Sequence, residues 1–221
     1  MITSVSAFAD PTPVKMKVVQ FGFKPMPVPP ISGAFWASKK KNPNTFGRGV
    51  LLVPSIGRSK ADLDGIAKTL QNSGFNVLVL NPREKGSKSP RVLIEDIQTG
   101  VVFLKTDPRV KASHVAIFAK AESANAVAKY ASTQQMMYVL DSIALFTNKD
   151  LSTEALKRIV GIPVLLLSNK ADGSSEFIKS AKQVCPFCAD KVIEKNADLN
   201  PALVGFFLNP GRKKGPKDSN G

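Results

Sequence analysis

A chain of 221 residues, 43% of them hydrophobic, is long enough to bury one core of the size found in single α/β domains. It contains no run of about 18 consecutive apolar residues, which excludes a typical membrane-spanning helix from this sequence. Its formal net charge of +14 favours an anionic partner such as RNA, acidic lipid headgroups or an acidic protein surface.

The N-terminal residues 1–32 are predicted to form a proline-rich arm. Four prolines within residues 25–30 favour an extended, polyproline-like path between two short strand candidates, residues 17–23 and 33–38. The arm is therefore expected to contribute an edge strand or a hairpin, followed by a polar, basic loop over residues 39–48.

From residue 49 onwards, apolar runs of strand length alternate with stretches that carry apolar residues at helical spacing. The predicted strands are 49–56, 75–80, 115–118, 138–146, 163–167 and 191–193, and the predicted helices are 59–72, 92–104, 122–132, 153–159, 174–184 and 201–208. This alternation predicts an α/β fold with a doubly wound, mostly parallel sheet, in a domain that covers residues 33–208. Residues 209–221 are predicted to form a disordered basic tail.

Residues 114–128, HVAIFAKAESANAVA, have the pattern of a nucleophile elbow. An apolar strand runs into a turn of small residues and then into an Ala-rich helix, which is how this motif presents a catalytic group at the crest of a sharp turn. The centre of the turn is Ala121, so a methyl group stands where the motif carries a hydroxyl or a thiol.

Two longer segments carry a resemblance to a known family. LLVPSIGRSKADLDGIAKTLQNSGFNVLVLNPR and DPRVKASHVAIFAKAESA together resemble the α/β-hydrolase superfamily, and in particular its dienelactone-hydrolase-like members. The resemblance implies an α/β-hydrolase fold with a Ser or Cys nucleophile, an acid and a His base. It places the nucleophile at Ala121, the acid at Asp172 and the base near Asp198, and it therefore implies a degenerate member that has lost the triad. As an alternative, Asp172 and Asp198 are turn or helix-cap residues.

A rebuilt hydrolase site is the alternative to a lost one. Its nucleophile would be Ser123, two residues beyond Ala121, or Ser55 in the segment that resembles the oxyanion loop. The only histidine, His114, begins the elbow strand and lies roughly 15 to 25 Å from its other end. The base would then be Lys120 or Lys170, and such a lysine must lose its proton, which requires a desolvated position.

The two cysteines, Cys185 and Cys188, have a spacing that suits half a zinc site, a redox pair or a local disulfide. A second pair of ligands is missing, so we expect no metal site, and the sequence indicates no cofactor. Two ordinary thiols or one disulfide is the expected state.

Basic runs at both ends of the predicted domain are the candidate contacts to an anionic partner. They consist of Lys39, Lys40 and Lys41 in the loop, and of Arg212, Lys213, Lys214 and Lys217 in the tail. Three aromatic residues beside basic ones, Phe35, Trp36 and Phe46, are expected to pack in the core or at the rim of the first hairpin rather than to stack on nucleobases.

Taken together, these features predict a non-catalytic protein, a structural or binding subunit of a larger complex with no small-molecule substrate. Its partners would be protein subunits, and also RNA or an anionic lipid surface. A ribonucleoprotein or an organellar membrane complex, in a plastid or mitochondrion, would fit the charge. Two alternatives remain: a divergent serine hydrolase that acts on esters with Ser123, and a nucleic-acid-binding protein that uses its basic surface.

Overall fold

Strands and helices alternate along the chain in the computed structural model, which describes residues 10–18, 29–38, 43–55, 63–83, 90–133, 140–146, 151–169, 175–185 and 188–211. The strands are β1 Thr12–Met16, β2 Ile31–Trp36, β3 Gly49–Val53, β4 Asn76–Asn81, β5 Val115–Lys120, β6 Ser142–Phe146, β7 Val164–Asn169 and β8 Cys188–Ile193. The helices are α1 Asp64–Asn72, α2 Pro90–Thr106, α3 Glu122–Thr133, α4 Thr153–Lys157, α5 Ser175–Val184 and α6 Leu199–Leu208. The architecture is an α/β fold with an eight-stranded, mostly parallel sheet flanked by helices, as predicted.

The first of two compact units covers residues 1–115. Its strands lie in the order β1-β2-β4-β3, with β1 and β2 antiparallel to their neighbours and β3 parallel to β4. All five residues of β3 are buried, which explains why this strand reads as a continuous apolar run. Helix α2 approaches β3 closely at Gly100, where a Cβ would lie 2.8 Å from Leu51 Cδ1.

The second unit covers residues 116–221 and contains four parallel strands in the order β5-β6-β7-β8. Strands β6 and β7 are almost wholly buried, whereas β8 buries only its last residue, Ile193. A disulfide between Cys185 and Cys188 and an ion pair of 2.6 Å between Lys182 and Asp190 link α5 to β8. These links hold an otherwise exposed strand beside the helix that precedes it.

The predicted elements from residue 49 onwards are confirmed in type, with ends that differ by a few residues. Helix α1 begins at Asp64 rather than at 59, and residues 56–62 lie outside the described residues. The prediction of a strand over 17–23 is wrong for Lys17 and Val18, and residues 19–28 lie outside the described residues. The strand of this segment is β1, which includes Pro13, because an edge strand tolerates a residue without a backbone N–H. Strand β6 begins at Ser142 rather than at 138.

Other parts of the predicted organisation are untested by the described residues. The domain boundaries at residues 32 and 208 stay predictions, and the basic tail lies outside the described residues from 212 onwards. None of the helices that the structure describes is long and apolar enough to cross a membrane.

Candidate active site

The junction between β5 and α3 forms a sharp turn at Ala121. Its φ of 54° is left-handed, and Ala121 is the one non-glycine residue with a positive φ among those described. An L-residue with a Cβ pays roughly 1 to 2 kcal/mol for this conformation. Backbone strain of this kind persists where the surrounding structure fixes it, and it clusters at functional sites.

Hydrogen bonds on both sides hold the turn in place. The Ala121 N–H donates to the carbonyl of Phe146, the last residue of β6, at 2.8 Å, and the Ala121 carbonyl accepts from Ala124 N at 3.0 Å. Lys120 lies beside Phe146 in the register of the two strands. The turn is therefore fixed by the neighbouring strand and by the first turn of α3. The elbow predicted from the small residues of this segment is present.

Two charged residues flank the turn. The half-buried Lys120 places its Nζ 5.6 Å from the centre of the Phe146 ring, within the range of a cation–π contact. Glu122, on the other side of Ala121, is exposed. The crest thus presents a methyl group between an ammonium group and a carboxylate.

Ser123 lies on the first turn of α3, and its side chain is fully buried. The same helix is linked to α4 by a hydrogen bond of 3.3 Å from Ser152 N to Asn125 Oδ1. Ser152 in turn caps α4, because its Oγ accepts from Ala155 N at 3.2 Å. The elbow helix therefore begins in a packed environment.

The remaining candidate residues lie in different surroundings. Asp198 is exposed at the end of a short 3-10 helix, and its Oδ2 accepts from Lys195 N at 3.1 Å. Its carboxylate makes no capping hydrogen bond to α6, so it closes a turn, in agreement with the turn alternative. Asp172 and Lys170 lie outside the described residues. Ser55 is half-buried and follows β3 in the first unit.

His114 precedes β5, so it lies at the opposite end of the strand from Ala121. It is half-buried, and its Nδ1 is 2.7 Å from Ser113 Oγ. Six residues of strand at about 3.3 Å each separate it from Lys120 by roughly 20 Å. The structure agrees with the sequence-based argument that this histidine does not reach the elbow.

The cysteine pair forms the disulfide, so its sulfurs are not thiolates available to a metal ion. In the part of the chain that the structure describes, no group of three or more His, Cys, Asp or Glu residues could hold a metal ion. The basic residues proposed as anion contacts all lie outside the described residues: Lys39, Lys40, Lys41, Arg212, Lys213, Lys214 and Lys217.

Phe146 is the residue of the elbow that sequence reasoning missed. Its carbonyl binds Ala121 N–H and its ring faces the Lys120 ammonium. A signal was available, because the carboxyl ends of neighbouring parallel strands meet at one edge of a sheet and Phe146 ends a predicted strand.

No protein-family model matches the sequence, and no curated relative matches it. Solved structures do. A dienelactone hydrolase from Anabaena variabilis is 14% identical with a TM-score of 0.72, over 90% of this chain and 98% of that one. Est1E from Butyrivibrio proteoclasticus is 10% identical with a TM-score of 0.70, over 93% and 100%. The Pyrococcus furiosus esterase Pf2001 is 14% identical with a TM-score of 0.68, over 90% of each chain.

The fold of this chain matches that of the solved α/β-hydrolases. At identities of 10 to 14%, this similarity is one of fold. It nevertheless contradicts the prediction of a non-catalytic subunit that is not an enzyme, because solved proteins with this α/β-hydrolase fold are described as hydrolases and esterases. The neighbours favour the alternative, a divergent hydrolase. That prediction took the absence of a nucleophile at Ala121 and of a histidine near Asp198 as the absence of activity.

Proposed function

We propose that this protein is a divergent hydrolase that acts on ester substrates at the β5–α3 elbow. The observation that carries the proposal is the left-handed φ of 54° at Ala121, a strained backbone held by two hydrogen bonds. An alanine side chain does not favour a left-handed φ. Because strained backbone conformations cluster at functional sites, the strain at Ala121 indicates that this turn is part of an active site. The hydrolases and esterases of the same fold support the reaction class.

The nucleophile in this proposal is Ser123, since Ala121 carries no group that can attack. Ser123 Oγ adds to the ester carbonyl carbon, its proton passes to a base, and the alcohol leaves to give an acyl-enzyme. Water then hydrolyses the acyl group and restores the hydroxyl. Ser123 lies in the first turn of α3, where the helix dipole stabilises negative charge that develops on the carbonyl oxygen. The usual triad is thereby replaced rather than retained.

The base in this proposal is the neutral amine of Lys120, which immediately precedes the turn, so its Nζ must leave the contact with the Phe146 ring before it accepts the serine proton. His114 is excluded by its distance along β5. Because the Ser123 side chain is fully buried, the first turn of α3 must open to admit the substrate. We therefore expect slow turnover and a preference for small, activated esters.

The test measures hydrolysis of p-nitrophenyl acetate by the wild-type protein and by Ser123→Ala. We expect the rate to fall roughly 100-fold or more in Ser123→Ala and in Lys120→Met. Ser132→Ala is the matched control, since this half-buried serine lies at the other end of α3, where its Oγ donates to Lys129 O. Its rate should equal that of the wild type.

Covalent labelling gives a second readout that does not depend on turnover. A fluorophosphonate probe should modify Ser123 in the wild type, as located by peptide mass spectrometry, and should leave Ser132 unmodified. The proposal is wrong if the wild type hydrolyses the ester no faster than buffer, or if folded Ser123→Ala keeps both the rate and the label.

A further inference from the structure

The turn that precedes β3 exposes an aromatic ring. Phe46 is 60% exposed, whereas Phe35 is 1% and Trp36 is 8% exposed. Phe35 and Trp36 are therefore core residues, as expected, whereas Phe46 is not buried in the core. The ring of Phe46 lies on the surface of the first unit.

Contacts between Gly47 and Lys111 hold the Phe46 ring beside the ammonium group of Lys111. Gly47 has a φ of 74°, and its carbonyl accepts from Lys111 N at 2.7 Å. The side-chain stem of Lys111 packs so tightly against Gly47 that a Cβ there would lie 2.7 Å from Lys111 Cγ. This packing places Lys111 Nζ 5.5 Å from the centre of the Phe46 ring.

Asn76 ties the backbone at Arg48 to the backbone at Arg109 beside this turn. Its N–H donates to Arg48 O at 2.9 Å, and its side-chain Nδ2 donates to Arg109 O at 3.1 Å. Asn76 is 4% exposed, so the buried amide joins residues 43–48 to residues 105–114. The arrangement exists only in the folded chain, because Arg48 and Arg109 are 61 residues apart in sequence.

The formal charge of this part of the first unit is positive. Residues 43–48 and 105–114 contain four Lys or Arg residues and a single acid, Asp107. That acid is already bound, since Arg109 Nη2 lies 2.6 Å from Asp107 Oδ2. The side-chain hydrogen bond from Arg109 lowers the pKa of Asp107, so the carboxylate stays ionised and paired.

We propose that Phe46, Arg48 and Lys111 form a binding surface for single-stranded RNA. An exposed ring on which a base stacks, next to cations that contact the phosphates, is the combination by which proteins bind single strands without sequence preference. The net charge of +14 adds a long-range attraction for a polyanion. This surface, which we call the Phe46 surface, is independent of the proposed esterase site.

The test titrates the full-length protein into a short fluorescent oligouridylate and follows the anisotropy at several salt concentrations. Phe46→Ala should weaken binding roughly tenfold, since loss of base stacking costs about 1 to 3 kcal/mol. Phe46→Leu should weaken it similarly, and this variant keeps an apolar side chain in case Phe46→Ala folds poorly. Lys111→Ala should reduce the slope of log affinity against log salt by about 1.

Two controls lie in the second unit. Val160→Ala removes an apolar side chain that is 64% exposed, and Lys179→Ala removes an exposed cation of α5. Both should leave the affinity within about twofold of the wild type. Equal losses in Lys179→Ala and Lys111→Ala, or unchanged affinity in both Phe46 variants, would mean diffuse attraction and overturn the proposal. Binding to phosphatidylserine vesicles without binding to the oligouridylate would overturn it in favour of a lipid surface.

Discussion

At the scale of single residues, Ala121 has a left-handed backbone conformation that an alanine does not adopt by its own local preference. A small residue makes the elbow sterically possible, but a left-handed φ still brings its Cβ close to the following carbonyl. The hydrogen bond to Phe146 O and the start of α3 impose the conformation. A substitution at Ala121 should therefore change the free energy of unfolding by an amount that helix propensity alone does not predict.

We expect Ala121→Gly to change the free energy of unfolding by no more than about 0.5 kcal/mol. Relief of the left-handed strain offsets the greater entropy of glycine in the unfolded chain. Ala126→Gly, at a buried position inside α3, should instead lose about 1 kcal/mol or more. Urea unfolding of the three proteins measures the contrast, and equal losses in the two variants would show that Ala121 carries no strain.

At the scale of elements, a buried carboxylate anchors α2 to the end of β4. Asp96 on α2 is 0% exposed and accepts hydrogen bonds from Arg83 N at 3.0 Å and from Arg83 Nε at 2.8 Å. Arg83 Nη2 also lies 3.2 Å from Glu95 Oε2. Burial raises the pKa of Asp96, while the hydrogen bonds and charge of Arg83 oppose that rise. The ion pair is therefore needed to keep this carboxylate ionised inside the protein.

Asp96→Ala should lower the free energy of unfolding by about 3 kcal/mol, because it leaves the largely buried guanidinium of Arg83 without its main partner. Glu154→Ala is the matched control. It also breaks an Arg–carboxylate pair, but both side chains of that pair are about two-thirds exposed, so the loss should stay below about 0.5 kcal/mol. Similar losses in the two variants, measured by denaturant unfolding, would contradict the anchoring role of Asp96.

At the scale of the whole molecule, the excess of positive charge opposes the folded state. With 31 Lys and Arg residues against 17 Asp and Glu residues, like charges repel one another across the compact surface. Salt at about 0.15 M screens charges that are more than roughly 8 Å apart and leaves the short ion pairs largely intact. The folded chain should therefore be more stable at physiological ionic strength than at low ionic strength.

We expect the Tm at pH 7 to rise when sodium chloride is increased from about 10 to about 150 mM, as measured by differential scanning fluorimetry. Near the isoelectric point of 9.9, where the net charge vanishes, the same addition of salt should leave the Tm almost unchanged. A Tm that falls with salt at pH 7 would show that attractive ion pairs outweigh the repulsion.

The sequence by itself determined the α/β class, the order of strands and helices after residue 49, and the turn at Ala121. These features depend on local patterns: continuous apolar runs for the buried strands, helical spacing for the helices, and small residues at the elbow. The same local patterns gave a wrong prediction of function, because they indicated inactivity from the residues at Ala121 and Asp198, whereas the fold comparisons favour a hydrolase.

Only the tertiary structure decided how distant residues meet. It placed β1 by pairing with β2, buried Ser123, exposed Phe46, and brought Phe146 to the elbow. It also showed that Asp198 closes a turn, because its carboxylate accepts a hydrogen bond from Lys195 N. These outcomes depend on hydrogen bonds and packing between segments far apart in the chain, and no local pattern of residue types specifies which segments come together.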